Sequence, residues 1–377
     1  MASNGPRKLF DRLYSKLPAP LELVERDQVA LIFHEIGIKT GYRKPGGTWR
    51  QYVWSMVTPL HNETVNIWTH MMPFWYNATV FLTFLLDSSF SADAYHWPFL
   101  LYLLAATIWP IVSCLAHVFG AMSIRSRHIC FLADYTSLSL YSFGSGLAYH
   151  AYSFDRQFFT LRIGRLYPQI AAASAIFCAS LSSYSRVMPK KHFWRRKIAR
   201  SMAFFIPYVL VNSPLASRVA WHCLNDTSAL SPAVHGHLWQ FVCIFIAFTL
   251  YNLHIPERWW PGRFDHFLHS HQIFHVFGAF ATYCQMWAIH ADLLVQRRVL
   301  PRRVDKLELW LFAVIVAVNL AIVTTVGWFV APPESGQVGK TFKLITVNSN
   351  KEKYNEHDGE QYEKLTSHGH VIREKAE

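Results

Sequence analysis

The chain alternates long apolar runs with short polar connections, and the length of the runs predicts helices that cross a membrane. About 20 apolar residues are needed to cross the hydrocarbon core of a bilayer. Eight such segments lie near residues 68–87, 97–120, 131–152, 167–184, 202–221, 238–255, 271–294 and 308–331. The alternating strands of a membrane barrel do not occur in the sequence. The pattern therefore predicts an all-α, polytopic membrane helix bundle, with a seven-helix core and an eighth, C-terminal transmembrane helix.

The polar ends of the chain divide it into three parts. Residues 1–56 form a predicted cytoplasmic N-terminal segment, residues 57–331 the transmembrane domain, and residues 332–377 a polar tail that we expect to be disordered. The N-terminal segment lacks the continuous apolar core of a cleaved signal peptide, so we expect it to stay in the cytoplasm.

The charge of the chain indicates the orientation of the spans. Only 16% of the residues are charged, against about one quarter in soluble domains, and the formal net charge is +12. With the N-terminus inside, 20 basic residues fall on the cytoplasmic side and nine on the other side. Cytoplasmic loops carry the excess of Lys and Arg. This distribution predicts a cytoplasmic N-terminus, a cytoplasmic C-terminus if the eighth helix spans the membrane, and no nucleic-acid partner.

Polar side chains within the apolar segments are the first candidates for function, because they are costly in a membrane. Ser113 and His117 lie at the end of the second segment, Asp134 near the start of the third, and His271 and His275 at the start of the seventh. The end of an even span and the start of an odd span share one side of the membrane. We therefore expect His117, Asp134, His271 and His275 to meet at one depth, near the cytoplasmic face, with Ser113 one turn before His117.

The spacing of these residues indicates zinc chemistry. Residues four apart share one face of a helix, so His271 and His275 can bind one ion, and His117 would complete a three-nitrogen site with one open position. We predict one Zn²⁺ per chain, with Asp134 as general base and Ser113 as a hydrogen-bond partner of a substrate oxyanion or of a zinc-bound ligand. Because Ile and Phe occupy the middle of the His271–His275 motif, the chain is not a soluble HExxH protease.

Two plainer interpretations stay open for these residues. The histidines can simply form hydrogen bonds between helices, with or without zinc, and Asp134 can be a helix N-cap. The six cysteines are scattered, so the sequence predicts neither a disulfide framework nor a thiolate zinc site.

Longer strings around these residues resemble a known family. The segment from His61 to His70, HNETVNIWTH, is similar to a signature of the progestin and adipoQ receptor family. Matching strings are Ser113 with His117, Asp134 with Tyr135, and the stretch from Pro256 to His275. The stretches 33–43 and 127–130, the eighth segment and the short N-terminal region favour the membrane progestin receptor branch.

The resemblance implies a multi-pass receptor of the plasma membrane that binds steroids such as progestins and signals through G proteins or kinases. It also implies that positions matching His117, His271 and His275 hold zinc, with the position of Asp134 beside it. The family further resembles alkaline ceramidases. The alternative function is therefore a zinc-dependent lipid amidohydrolase whose product signals, and whether the chain is an enzyme stays open at this stage.

The segment before the first span has two interpretations. Glu63 can support a ligand histidine as a hydrogen-bond acceptor. Alternatively, Asn62 or Thr64 caps the first helix while Glu63 interacts with its dipole. The sequence favours this second, structural interpretation.

Overall fold

The computed structural model describes residues 18–188, 193–225, 230–297 and 306–330. Within these ranges the chain forms eight long helices, named here α1 to α8. They are Thr64–Leu86, Trp97–Phe119, Ile124–Ala148, Tyr167–Val187, Phe193–Asn225, Pro232–Leu253, Ser270–Gln296 and Lys306–Val330. Shorter helices are Trp49–Trp54, Ser88–Ser91 and Arg162–Arg165, and the strands Leu23–Val24 and Tyr42–Arg43 pair antiparallel.

Local sequence explains where several helices begin. Ser123 accepts a hydrogen bond from the backbone N–H of Ser126 and so caps α3. Ser231 caps α6 in the same way, and Pro232 follows as its first residue, where a missing N–H costs nothing. At α7, the carboxylate of Glu257 accepts the backbone N–H of Ser270 at 2.7 Å. These caps satisfy N–H groups that an apolar surrounding would leave without partners.

The first seven helices close into a ring in which each contacts its neighbour in sequence, and α7 returns to contact α1. The eighth helix packs outside this ring against α3 and α4. The ring interior holds large, fully buried side chains, among them Phe99, Tyr102, Phe143 and Ile289. In the closed ring, every helix has one end at each end of the bundle. Polar residues that are far apart in the sequence therefore meet where their helices share an end.

Within the described ranges, four helical stretches are long and apolar enough, by length and composition, to cross a membrane. They are Ala94–Phe119, Trp194–Asn225, Pro232–Leu253 and Lys306–Trp328. The remaining long helices carry more inward-facing polar residues, which lowers their hydropathy. The chain is thus a helical membrane protein, and the number of spans stays a prediction.

Two expectations about helix ends are wrong. The third helix begins at Ile124, ten residues before Asp134, so Asp134 is inside the helix and is not its N-cap. The first helix has Glu63 at its N-cap, in place of Asn62 or Thr64. The hydroxyl of Thr64 instead accepts the backbone N–H of His61 at 2.9 Å. The polar side chains at the start of this helix therefore bind partners that the usual sequence preferences for helix caps do not predict.

The described part of the N-terminal segment, residues 18–56, is folded against the bundle. The carboxylate of Asp265, in the loop before α7, accepts the backbone N–H groups of Lys39 and Thr40 at 3.1 and 2.8 Å. Gly37 has a φ of +78° and lies so close to Glu257 that a Cβ would come within 2.6 Å of its carbonyl oxygen. These contacts hold the segment against the end of the bundle. The predicted tail, residues 332–377, lies outside the described residues.

Candidate metal centre

Four histidines from three helices meet at one end of the bundle, and we call them the histidine cluster. His70 lies in the second turn of α1, His117 in the last turn of α2, and His271 and His275 in the first two turns of α7. Helices α1 and α7 begin at this end and α2 ends there, so neighbours in the ring present their histidines at a common depth.

Three members of the cluster approach closely enough to share one ion. Nitrogen atoms of His70, His117 and His275 all lie within 4.8 Å of one another, and all three residues are buried. His271 lies beside them, with its ring centroid 4.4 Å from that of His275 and 5.2 Å from that of His117. The structure thus brings two of the predicted ligands, His117 and His275, together with His70, whereas the predicted ligand His271 lies beside this group.

The donor set suits a transition metal. Neutral imidazole nitrogens in a buried site bind zinc, and three of them leave a position open in tetrahedral geometry. Burial without a cation would leave several imidazole nitrogens facing one another with little water to satisfy them. The residues present therefore fit a zinc ion.

A carboxylate is hydrogen-bonded to the ring nitrogen of one histidine of the cluster. The Nδ1 atom of His117 lies 2.8 Å from Oε2 of Glu63, and the amide of Asn66 donates to the same oxygen at 2.6 Å. An acceptor at Nδ1 favours the tautomer that carries its proton there, which leaves Nε2 free to bind a metal. The structural interpretation of Glu63, favoured from sequence, is incomplete, because this side chain reaches the cluster.

A buried arginine holds the backbone at the same point. Arg43 donates to the carbonyl oxygens of His117 and Val118 at 2.6 and 2.8 Å, and to the hydroxyl of Ser55 at 3.0 Å. Burial lowers the pKa of Arg43 to about 10, and its guanidinium remains charged at neutral pH. A cation at the C-terminus of α2 satisfies carbonyls that lack helical partners and complements the helix dipole.

The two predicted catalytic side chains lie beside the cluster. Ser113 Oγ is 3.0 Å from Nε2 of His70. The carboxyl of Asp134 hydrogen-bonds Ser113 and lies close to His117, and Asp134 itself is half-buried. A proton acceptor and a hydroxyl donor thus stand at the edge of the candidate metal site, as a hydrolytic centre would require.

A cavity of about 260 Å³ between α1, α2 and α7 reaches the cluster. Both His70 and His275 line it. Its other lining residues are mostly apolar or aromatic: Thr69, Met72, Pro73, Tyr76, Asn77, Trp109, Pro110, Ala279, Thr282 and Tyr283. Met72 is 68% exposed and Tyr283 is 47% exposed on the outer surface of the bundle. The cavity therefore connects the histidines with the surface that faces lipid.

A second group of buried charges lies at the opposite end of the ring. Arg218 donates two hydrogen bonds of 2.8 Å to the carboxylate of Asp292, and His237 Nε2 lies 3.0 Å from the same carboxylate. Each charged side chain of this group has a partner within the group, so these residues hold α5, α6 and α7 together. The group does not suggest a binding site.

Sequence reasoning did not select His70 or Arg43 as parts of the site. His70 follows Glu63 by seven residues, which places both on one face of α1. This spacing could have indicated that His70 belongs to the same site as Glu63. Arg43 gave no signal, because its partners are carbonyl groups of a helix more than 70 residues away.

The fold and the site define a helical membrane protein with a buried histidine cluster at one end of its ring. Comparison with known proteins agrees with this class. A family model described as haemolysin-III related matches residues 58–286, more than half of the chain. The chain belongs to this family.

Its relatives are membrane progestin receptors. Human membrane progestin receptor delta is 39% identical over 283 residues, which cover 74% of this chain and 80% of that protein. Human membrane progestin receptor gamma is 38% identical over 282 residues, covering 75% and 84%. Membrane progestin receptor alpha-B of Danio rerio is 28% identical over 292 residues, covering 78% and 81%. The resemblance to the membrane progestin receptor branch of the progestin and adipoQ receptor family is confirmed.

Proposed function

We propose that this chain is a progestin receptor of the plasma membrane that signals through G proteins or kinases. The observation that carries the proposal is the identity of 38–39% with the human gamma and delta membrane progestin receptors over three quarters of the chain. The N-terminus lies in the cytoplasm in this proposal, as the distribution of Lys and Arg indicates.

The cavity between α1, α2 and α7 supports the proposal as a place for the steroid. Small-molecule sites are concave, mostly apolar and about 300–1,000 Å³ in volume, and this cavity is close to the lower bound. A flat apolar ligand can enter from lipid past Met72 and Tyr283 and pack against the ring of Trp109. Its far end would approach His70 and His275.

Labelled progesterone should bind membranes of cells that express the chain, with saturation and with competition by progestins over other steroids. Trp109→Ala removes a cavity wall and should weaken binding at least tenfold. Trp75→Ala is the matched control, since Trp75 is 63% exposed on the neighbouring helix and does not line the cavity. Unsaturable binding in the wild type, or equal losses in both variants, would contradict the proposal.

A zinc ion in the histidine cluster is the second part of the proposal. His117, His271 and His275 are the proposed ligands, and His70, whose nitrogens lie within 4.8 Å of those of His117 and His275, is the alternative to His271 as third ligand. Purified wild type should carry one zinc per chain, and His271→Ala combined with His275→Ala should remove it. His34→Ala, a histidine outside the cluster, is the control and should keep the metal. A metal-free wild type would refute the zinc site and the hydrolase described next.

The position of Asp134 beside Ser113 favours one further candidate function, hydrolysis of a lipid amide. Zinc would supply Lewis acidity at the histidines. Asp134 would take a proton from the attacking water, and the Ser113 hydroxyl would donate a hydrogen bond to the amide oxygen. The amide C–N bond would then break, with the proton passed on to the leaving amine.

Ceramide turnover by purified protein tests this candidate. The Asp134→Asn variant keeps the shape of the side chain but cannot accept the proton, so it should lose at least 100-fold in rate while retaining zinc and progesterone binding. Equal rates in the wild type and Asp134→Asn would leave the cluster with a structural role, which ties α1, α2 and α7 together.

A further inference from the structure

Three arginines from three helices converge on the side of the bundle away from the cavity, and we call them the arginine cluster. Arg127 lies in the first turn of α3, Arg186 in the last turn of α4, and Arg200 in the second turn of α5. They lie at the bundle end that carries the histidine cluster.

The side chains of these arginines share neighbours. Arg127 and Arg186 both lie over the ring of Phe131, at 5.0 and 4.8 Å from its centroid. Arg186 Nη2 also donates to the carbonyl oxygen of Arg127 at 3.3 Å. Arg200 contacts the hydroxyl of Tyr135 at 3.5 Å, and its charge interacts with that of Arg186. Like charges gathered in one region repel one another, and an anion bound among them would offset that repulsion.

The neighbouring carboxylates do not balance this charge. Glu35 pairs with Arg127 at 2.7 Å. Asp134 lies near Arg186 but hydrogen-bonds Ser113. Across the described ranges, no carboxylate lies within ion-pair distance of Arg186 or Arg200. Two guanidinium charges are thus left without an acidic partner in a partly buried place.

Unused hydrogen-bond donors accompany the unbalanced charge. Arg127 is 7% exposed, and its Nε atom has no hydrogen-bond partner among the residues that the structure describes. The same holds for Nε of Arg186. Buried donors normally have acceptors, so these two N–H groups are available to bind one.

We propose that the arginine cluster binds a phosphate monoester. Such a group carries a charge of about −1.5 to −2 and three strong acceptor oxygens. The charge matches the guanidinium groups of Arg186 and Arg200, which have no acidic partner. The oxygens can accept the unused Nε–H groups of Arg127 and Arg186. The planar guanidinium fork binds phosphate with two parallel hydrogen bonds. This site is separate from the zinc and steroid proposals and does not depend on either.

The phosphate has two possible sources, and both can reach the cluster at the end of the helices. It can be the headgroup of a phosphorylated lipid in the adjacent leaflet, or a soluble phosphate ester. Thermal unfolding of the full chain in nanodiscs distinguishes them, because a ligand that binds the folded state raises the midpoint. The lipid probe is phosphatidylinositol 4-phosphate, compared with phosphatidylinositol plus enough phosphatidylserine to match the total charge. The soluble probes are inorganic phosphate and inositol monophosphate.

The wild type should unfold at a higher temperature with phosphatidylinositol 4-phosphate than with the charge-matched lipids. A rise only with this lipid identifies a headgroup, and a rise with the soluble probes as well identifies a soluble ester. In titrations, Arg186→Gln and Arg200→Gln should each weaken binding about tenfold or more, since hydrogen bonds to charged groups are lost. Arg195→Gln is the matched control, because Arg195 is an exposed arginine on α5, and it should stay within twofold.

Three results would overturn the proposal. One is a wild type whose midpoint is unchanged by every probe. Another is an equal rise with the charge-matched lipids, which would mean attraction to any anionic surface. The third is a loss of affinity in Arg195→Gln as large as in Arg186→Gln. The wild-type comparisons decide the matter even if an arginine variant does not fold.

Discussion

Glu63 and His117, 54 residues apart in the chain, are joined by a 2.8 Å contact between Oε2 and Nδ1. The contact crosses from the N-cap of α1 to the last turn of α2. It fixes the orientation of a cluster imidazole, so the geometry of the candidate metal site depends on a residue that is not itself a ligand.

Replacing Glu63 with Gln keeps a hydrogen-bond acceptor but removes the negative charge behind His117. We expect zinc to bind about 10–100-fold more weakly, because outer hydrogen-bond partners raise the basicity of ligand histidines. Competition with a chelator of known affinity measures the change. Glu22→Gln is the control, since Glu22 forms an exposed ion pair with Lys44 and should leave zinc affinity unchanged. Unaltered affinity in Glu63→Gln would show that the contact is only structural.

Single alanine variants of His70 and His271 identify the third zinc ligand. Neither nitrogen of His271 has a hydrogen-bond partner within the described part of the chain, whereas Nε2 of His70 is within 3.0 Å of Ser113 Oγ. We therefore expect His271→Ala to lose the metal and His70→Ala to keep most of it. Metal content and chelator competition measure both. The reverse result would assign the ion to His70, His117 and His275, whose nitrogens approach most closely.

The Arg43→Gln variant should be less stable than the wild type. The substitution leaves the carbonyl oxygens of His117 and Val118 without their buried partner, and we expect the free energy of unfolding to fall by about 2–4 kcal/mol. Denaturant unfolding in detergent, followed by tryptophan fluorescence, gives the value. The neighbouring Lys44→Gln is the control and should change it by less than about 1 kcal/mol, because its ion pair is exposed. Similar losses in both variants would argue against a special role for Arg43.

His61 should make stability depend on pH below neutrality. Burial lowers the pKa of His61 to about 3, from 6.5 in an unfolded chain. Its Nδ1 accepts the N–H of Glu63 at 3.1 Å and its Nε2 lies 3.0 Å from the carbonyl oxygen of Ser55, a pattern that needs the neutral ring. As the pH falls below 6.5, His61 binds a proton in the unfolded chain but not in the folded protein, so the free energy of unfolding decreases. Above pH 6.5, His61 is neutral in both states and has little effect on stability.

The His61→Gln variant isolates this contribution. Between pH 7.5 and 5.5, its free energy of unfolding should fall by about 1.4 kcal/mol less than that of the wild type, since one unit of pH below the unfolded pKa corresponds to about 1.4 kcal/mol per proton. Unfolding curves at both pH values measure this. His235→Gln, which alters an exposed histidine, should follow the wild type. Parallel pH profiles for wild type and His61→Gln would mean that the pKa of His61 is the same in the folded and the unfolded protein.

The apolar runs alone were enough to predict the eight helices, because burying backbone polar groups in lipid forces helical structure. Most predicted ends lie within a few residues of those observed. The third and fifth helices differ most, since α3 begins at Ile124 and α5 runs from Phe193 to Asn225. Their first turns are polar, and a hydropathy window cannot detect helix that extends beyond the apolar core.

The sequence by itself determined which residues could bind metal and that they share one end of the bundle, because helix periodicity and the alternation of helix direction place His117, Asp134, His271 and His275 there. Only the tertiary structure decided what stands around them. The contacts of Glu63 with His117, of Arg43 with the end of α2, and of Arg186 with Arg127 join separate elements. Such contacts depend on which helices become neighbours when the ring closes, and the spacing of residues along the chain does not predict which helices those are.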